Sequence, residues 1–207
     1  LWELGCKNVA VHMVETGVDG IGQGSEPQLL EDLKNADAVY FGGGRTYKYL
    51  DAYMNTPAHE LMKKVLERGG LIVGTSAGAQ IQGDYLVRGD PRTNKSLFLE
   101  GSDQGLGFLK GVIIDAHFRE RARHKSTPQL LVKYPQMLGI GIDETTAIFV
   151  QGTIAEVFGP HAVTFYDLKN QKKTDPAEKD IGNPVILMEG EKYDLKNRKQ
   201  IHESTNH

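Results

Sequence analysis

The stretch Leu71-Ile72-Val73-Gly74-Thr75-Ser76-Ala77-Gly78-Ala79-Gln80 holds the residues best suited to chemistry. Gly74, Ser76 and Gly78 have the Gly-x-Ser-x-Gly spacing of a nucleophile elbow, which needs a strand, a sharp turn and a helix in that order. Leu71, Ile72 and Val73 read as a buried strand, and the small residues after them as the turn into a helix. A serine on such a turn presents its hydroxyl to solvent, and the flanking glycines spare the turn a collision with neighbouring backbone. The helix N-terminus then supplies unpaired N–H groups that favour a developing oxyanion. The chemistry expected is acyl transfer through Ser76.

Such a serine needs a base, an acid and an oxyanion site. Val112-Ile113-Ile114-Asp115-Ala116-His117 reads as a strand, and alternation sends Asp115 and His117 to one side at its carboxyl end. A histidine ending a buried strand fits a catalytic base better than a solvated surface residue. Phe118 to Tyr134 reads as a helix that stacks His117, Arg121 and His124 on one face. Gly139-Ile140-Gly141-Ile142-Asp143-Glu144 is a Gly-rich strand ending in two carboxylates, which alternation places on opposite faces. Ala36 to Phe41 is another strand, running into Gly42-Gly43-Gly44-Arg45. This turn lacks the residues of a P-loop or a dinucleotide site, and its N–H groups at Gly43 and Gly44 suit an oxyanion hole.

The elements that must position these groups follow from periodicity and punctuation. Asn8 to Val14 reads as a parallel strand with His12 as a satisfied core histidine, and Glu15 to Ser25 as a Gly-rich loop. Ser25 is the expected N-cap of a helix over Glu26 to Lys34, and helices are expected at Thr46 to Met54 and Pro57 to Arg68. Gly83 to Gly107 reads as a long surface loop. Thr146 to Val150, Ala155 to Phe158 and Val163 to Tyr166 read as antiparallel strands appended to the parallel sheet. Lys169 to Lys179 reads as a charged loop, Val185 to Met188 with Tyr193 to Leu195 as a terminal hairpin, and the end from His202 as frayed. The sum is an α/β fold, a doubly wound, mostly parallel sheet with added antiparallel strands toward the C-terminus. Ser76, His117, the carboxylates and the Gly turn then share the edge where sites of such sheets lie.

The bulk sequence narrows the classes. A chain of 207 residues suits a single α/β domain over 1–207. Leu1 to Leu4, closed by Gly5, read as the last turn of a helix whose preceding strand is expected to be missing. A net charge of -3 gives no field for nucleic acid or an anionic membrane. No apolar run approaches the ~20 residues of a membrane span. The single cysteine, Cys6, excludes an intramolecular disulfide, favours a reducing, cytoplasmic setting, and reads as a small buried apolar residue. The histidines lack zinc-type spacing, so no metal is expected, and acyl transfer needs no cofactor.

Together, Phe41-Gly-Gly-Gly-Arg45, Gly74-Thr-Ser-Ala-Gly78, Asp115-Ala-His-Phe118 with Arg121 and Arg123, and Gly139-Ile-Gly-Ile-Asp-Glu-Thr-Thr-Ala147 resemble the cyanophycinase and dipeptidase E family of serine peptidases. The resemblance runs over nearly the whole chain, including Gly190-Glu-Lys-Tyr-Asp-Leu195. It implies a flavodoxin-like sheet, related to class I glutamine amidotransferases, and hydrolysis of aspartyl peptide bonds. It implies Ser76 as nucleophile, His117 as base, Glu144 as the orienting acid, and Gly43 or Gly44 with Ala77 as oxyanion donors. Arg45, Asp115, Arg121 and Arg123 fall on its substrate pocket, so the expected partner is a small peptide or isopeptide, with a homodimer left open. The chain departs from the cyanophycinases at Arg45 and Ala116, where they carry glutamines, and at Ser126, near which they carry a further arginine. These departures favour an acidic substrate over cyanophycin. An esterase or amidase on the same triad, or a binding module that has kept the pocket, are the other classes open to such a sequence.

Overall fold

Pro27 and Pro57 each open a helix, because a fixed φ suits the first turn and its missing N–H has no intrahelical partner there. The chain is seen in a computed structural model that describes residues 5–13, 23–93, 95–97, 99, 103–169 and 184–202. It divides into two compact units, Leu1–Gly78 and Ala79–His207.

In the first unit, α1 (Pro27–Asn35), β1 (Ala38–Phe41), α2 (Thr46–Tyr53), α3 (Pro57–Glu67) and β2 (Leu71–Gly74) lead to the short helix α4 (Ala77–Gln80). Strands β1 and β2 pair in parallel with Phe41 opposite Gly74, so both end where the Gly turn and the serine turn begin. Ala58, Met62 and Val65 of α3 and Leu29 and Leu33 of α1 are buried. Of the expected buried strand only Ile72 is buried; Leu71 and Val73 are exposed, since helices cover one face of a strand whose side chains alternate. Ser25 does not cap α1: it closes a 3-10 turn, Glu26 is the N-cap without a side-chain bond, and Pro27 sets the start.

Residues 8–13 carry no strand, and Cys6 is exposed rather than buried. His12 is paired, with Nε2 2.8 Å from Asp32 Oδ2, a bond that lowers the Asp32 pKa, but it is half-buried rather than in a core. The loop expected from Glu15 lies largely outside the described residues, as do Leu1 to Leu4, most of the loop after Lys169, and the end beyond His202.

The second unit opens with β3 (Gly83–Tyr85), inside the stretch expected to be loop throughout. It continues through β4 (Leu109–Ala116), α5 (Thr127–Lys133) and β5 (Leu138–Ile142). Strands β6 (Ala147–Gln151), β7 (Ile154–Phe158), β8 (Val163–Asp167), β9 (Val185–Leu187), β10 (Lys192–Asp194) and β11 (Lys199–Ile201) complete it. One sheet has the order β3-β4-β5-β8-β9, parallel through β5 and antiparallel beyond it. The α/β class with antiparallel strands toward the C-terminus is thus as the sequence implied. The allocation of those strands is different. Only β8 and β9 extend the parallel sheet, while β6 and β7 form a second sheet, β11-β10-β7-β6. The expected terminal hairpin does not form, because β9 pairs with β8 and β10 with β7 and β11.

One apolar cluster holds Val112, Ile114, Ile140 and Phe165 of the first of these sheets and Ala155, Val157 and Tyr193 of the second. At its centre the Phe165 and Tyr193 rings stack at 4.1 Å and 6°, a contact worth about 0.5–1.5 kcal/mol beyond area burial. A second cluster, Ile113, Phe118, Leu130, Leu131 and Tyr166, seats α5 on the opposite face. Phe118 directly follows His117, so core packing anchors the chain beside the expected base.

Candidate active site

Ser76 sits between β2 and α4 with φ 53, in the left-handed region that costs a non-glycine residue about 1–2 kcal/mol. That value is the sharp strand-to-helix turn expected of an elbow. The turn closes through Thr75 N–H donating to Phe41 O at 3.0 Å and Gly78 N–H donating to Thr75 O at 2.8 Å. A Cβ at Gly78 would lie 2.2 Å from Phe41 O, so only glycine lets the turn approach β1 this closely. A Cβ at Gly43 would be 3.6 Å from Ser76 Cβ, which places the Gly turn against the serine. Gly43 and Gly44 are exposed, Ser76 is half-buried, and Ala77 is buried. Arg45 follows the Gly turn as the N-cap of α2, half-buried, with its guanidinium carbon 5.5 Å from the Tyr47 ring centre.

The second unit brings His117 and Glu144 together. The parallel pairing of β4 with β5 sets Ala116 opposite Ile142, so both chains leave the sheet at one level. His117 Nδ1 lies 2.7 Å from Glu144 Oε1, with the imidazole 21% and the carboxylate 49% exposed. His117 has φ 52, and Thr145, next to Glu144, has φ 57. Non-glycine residues in this region persist only where their surroundings over-determine them, and they cluster at functional sites. Alternation does divide the two carboxylates: Asp143 is buried and Glu144 is exposed. Asp143 accepts from Arg119 N–H at 3.1 Å and from Ala162 N–H at 3.4 Å, tying the end of β5 to the chain just past His117.

Asp115 and His117 do not share a side, because the strand ends at Ala116 and the left-handed turn at His117 breaks the alternation. Asp115 is fully buried and ringed by donors. Its Oδ1 accepts from Arg123 at 2.6 Å and Gln80 Nε2 at 3.1 Å; its Oδ2 accepts from Thr127 Oγ1 at 2.6 Å and Arg88 at 3.0 Å. Arg88 also reaches Ser126 Oγ at 3.3 Å, beside the position where the resemblance leads one to expect an arginine. Burial pulls the Arg123 guanidinium below its ordinary pKa and Arg88 adds to this, while Asp115 opposes it. Of the residues expected to meet substrate, Arg121 is exposed, whereas Asp115 and Arg123 are interior and bonded to one another.

The helix expected over Phe118 to Tyr134 is broken. Phe118 to Ala122 is turn, Arg123–Lys125 is 3-10, Ala122 has φ 50, and α5 starts at Thr127. His117, Arg121 and His124 therefore do not stack on a helical face. Arg88, Gln80 and Thr127 were not singled out by sequence. Only Arg88 left a signal, a charged residue extending the apolar run Tyr85-Leu86-Val87, all buried here. Among the described residues there is no cluster of three His, Cys, Asp or Glu placed to hold a metal, and no helix is long and apolar enough to cross a membrane.

The model of peptidase family S51 matches residues 3–158. The cyanophycinase of Geminocystis herdmanii is 29% identical over 205 residues, 94% of this chain and 74% of that protein. Peptidase E of Shigella flexneri serotype 5b is 26% identical over 187 residues, 86% of this chain and 78% of the other. Other cyanophycinases are matched over 61–64% of their length, so the chain spans less than two thirds of those relatives. The crystal structure of a peptidase from an acI-B1 actinobacterium superposes with a TM-score of 0.59 at 25% identity, over 81% of this chain and 63% of that one. The chain belongs to peptidase family S51, and by family it is a hydrolase of the peptidase class.

Proposed function

We propose that this protein is a serine-type peptidase that hydrolyses a peptide or isopeptide bond of an aspartyl or small acidic substrate, with Ser76, His117 and Glu144 as its triad. The observation that carries the reading is the 2.7 Å bond between His117 Nδ1 and Glu144 Oε1. With the proton on Nδ1 and held by Glu144, Nε2 is left as an acceptor for the Ser76 proton. The left-handed serine in a Gly-x-Ser-x-Gly turn supports the nucleophile, and the proximity of Gly43 to Ser76 supports Gly43, Gly44 and Ala77 as oxyanion donors.

In this mechanism Ser76 Oγ attacks the carbonyl carbon as His117 takes its proton. The tetrahedral oxyanion rests on backbone N–H groups. Collapse breaks the C–N bond, and His117 returns the proton to the departing amine. Water then adds to the acyl-enzyme with His117 again as base, releasing the acid and restoring the serine.

Arg45 supports the acidic substrate. A permanently charged planar fork next to the Gly turn suits a carboxylate and repels a guanidinium. Cyanophycin, whose side branches are arginines, is then a poor substrate. The test is kcat/KM on an aspartyl anilide and on cyanophycin, for the wild type and for Arg45→Gln. The reading expects the anilide to be preferred, and the preference to fall at least tenfold in Arg45→Gln. Efficient wild-type release of β-Asp-Arg from cyanophycin, or an unchanged preference in the variant, would contradict it.

A further inference from the structure

We infer that Arg123 is a positioning residue for His117, clipping the chain on both sides of it from within a buried ionic cluster. This rests on the reading of His117 as the base. Arg123 Nη1 donates to both Asp115 Oδ1 and the Ala116 carbonyl, and the Arg123 backbone N–H donates to Phe118 O at 2.8 Å. Three of the four residues 115–118 are therefore tied to Arg123, and the one between them, His117, holds the left-handed φ of 52. The return of the chain is also bonded, with Arg121 N–H on His117 O at 3.1 Å.

The cluster is built to keep this clip still. Asp115 is 0% exposed, Arg123 5% and Arg88 7%, and the carboxylate takes bonds from both arginines, Thr127 and Gln80. Packed hydrophobic side chains of similar volume would support a fold at least as well as a buried ion cluster. What they could not supply is a fixed, directional grip on the Ala116 carbonyl. The two N–H bonds of Nη1 are held in the guanidinium plane and so meet both acceptors in fixed directions, a geometry that the rotating ammonium of lysine on its flexible stem does not hold. Arg123 and Asp115 thus face inward to the base, and the substrate is left to Arg45 and Arg121.

The experiment compares wild type with Arg123→Lys on two readouts. The first is the low-field proton resonance of the imidazole Nδ1–H donated to Glu144, which needs no substrate. The second is the rate at which diisopropyl fluorophosphate, a small uncharged reagent without the carboxylate of the proposed substrate, modifies the protein. Positioning predicts loss or broadening of the resonance with the remaining spectrum native-like, and at least tenfold slower modification. On the aspartyl anilide, kcat should fall with KM within about twofold. A substrate-binding arginine would instead raise KM and leave the resonance and the modification rate unchanged, which overturns the inference. Should Arg123→Lys fail to fold, Thr127→Val, isosteric and retaining both arginines, decides on the same readouts. It is expected to weaken the resonance and slow modification about threefold, and wild-type behaviour in it overturns the inference. A wild type that shows the resonance, loses it in the variant, yet resists the reagent would keep the clip and sink the peptidase reading instead.

Discussion

At Ser76 the left-handed turn is enforced by lack of room, with Gly78 pressed on Phe41 O. At His117 the same backbone conformation is enforced by hydrogen bonds to buried charge: Asp115 and Arg123 on one side, Asp143 on the other. Steric enforcement lays the end of one strand against the turn after the next and needs only small residues at the contact. Ionic enforcement needs charged partners gathered on one buried carboxylate, with Arg88 27 residues before Asp115 and Arg123 8 residues after it. One glycine nonetheless serves the histidine corner as well. A Cβ at Gly141 would lie 2.5 Å from the Phe118 ring, so the bare strand lets the residue after His117 sit down on β5.

The contrast can be broken or sharpened by substitution. The largest effect belongs to Ser76→Ala, which removes the proposed nucleophile and should lower kcat by about 10⁶ while leaving the thermal transition within a few degrees of wild type. Near-normal turnover would end the elbow reading. Glu144→Gln follows, with a loss of about 10³–10⁴ in kcat, since an orienting acid fixes the histidine tautomer. Asp143→Asn keeps an acceptor oxygen for one of its two N–H partners and should cost less than about tenfold. A reversed ranking of the two acids would reassign the partner of His117.

Stability separates the corners differently. Gly78→Ala puts a methyl into fixed backbone and should destabilise by at least about 1–3 kcal/mol, read as a lower denaturation midpoint. Gly141→Ala meets the buried Phe118 ring from its Cγ outward, so relief needs Phe118 to shift beside His117, and the kcat loss should be larger in proportion to the stability loss. Equal behaviour of the two variants would remove the distinction between packing and positioning.

The same contrast explains what could be read in advance. The elbow was legible because its signature lies within five residues, and the turn after β1 because glycines announce themselves next to a strand. The pairing of His117 with Glu144 was legible only through the resemblance, as period-two spacing offered Asp143 equally. Phe118 to Tyr134 was misread because His117, Arg121 and His124 have helical spacing. Asp115 and Asp143 instead capture Arg123 and the Arg119 N–H, and the chain turns at Ala122. Breaking a buried pair of this kind costs about 3–5 kcal/mol, ample to override local helix propensity. The strands after β5 were seen, but their division between two sheets depends on register that alternation alone does not specify.

The central claim is that Ser76 is a nucleophile activated by His117 held on Glu144. Its most direct test is mass spectrometry of the protein after treatment with a fluorophosphonate, in which serine oxygen displaces fluoride from phosphorus. The account predicts a single adduct on the peptide containing Ser76, absent in Ser76→Ala and formed at least 10²-fold more slowly in His117→Ala. No adduct on the wild type, or an adduct at Ser76 whose rate is unchanged in His117→Ala, would contradict it.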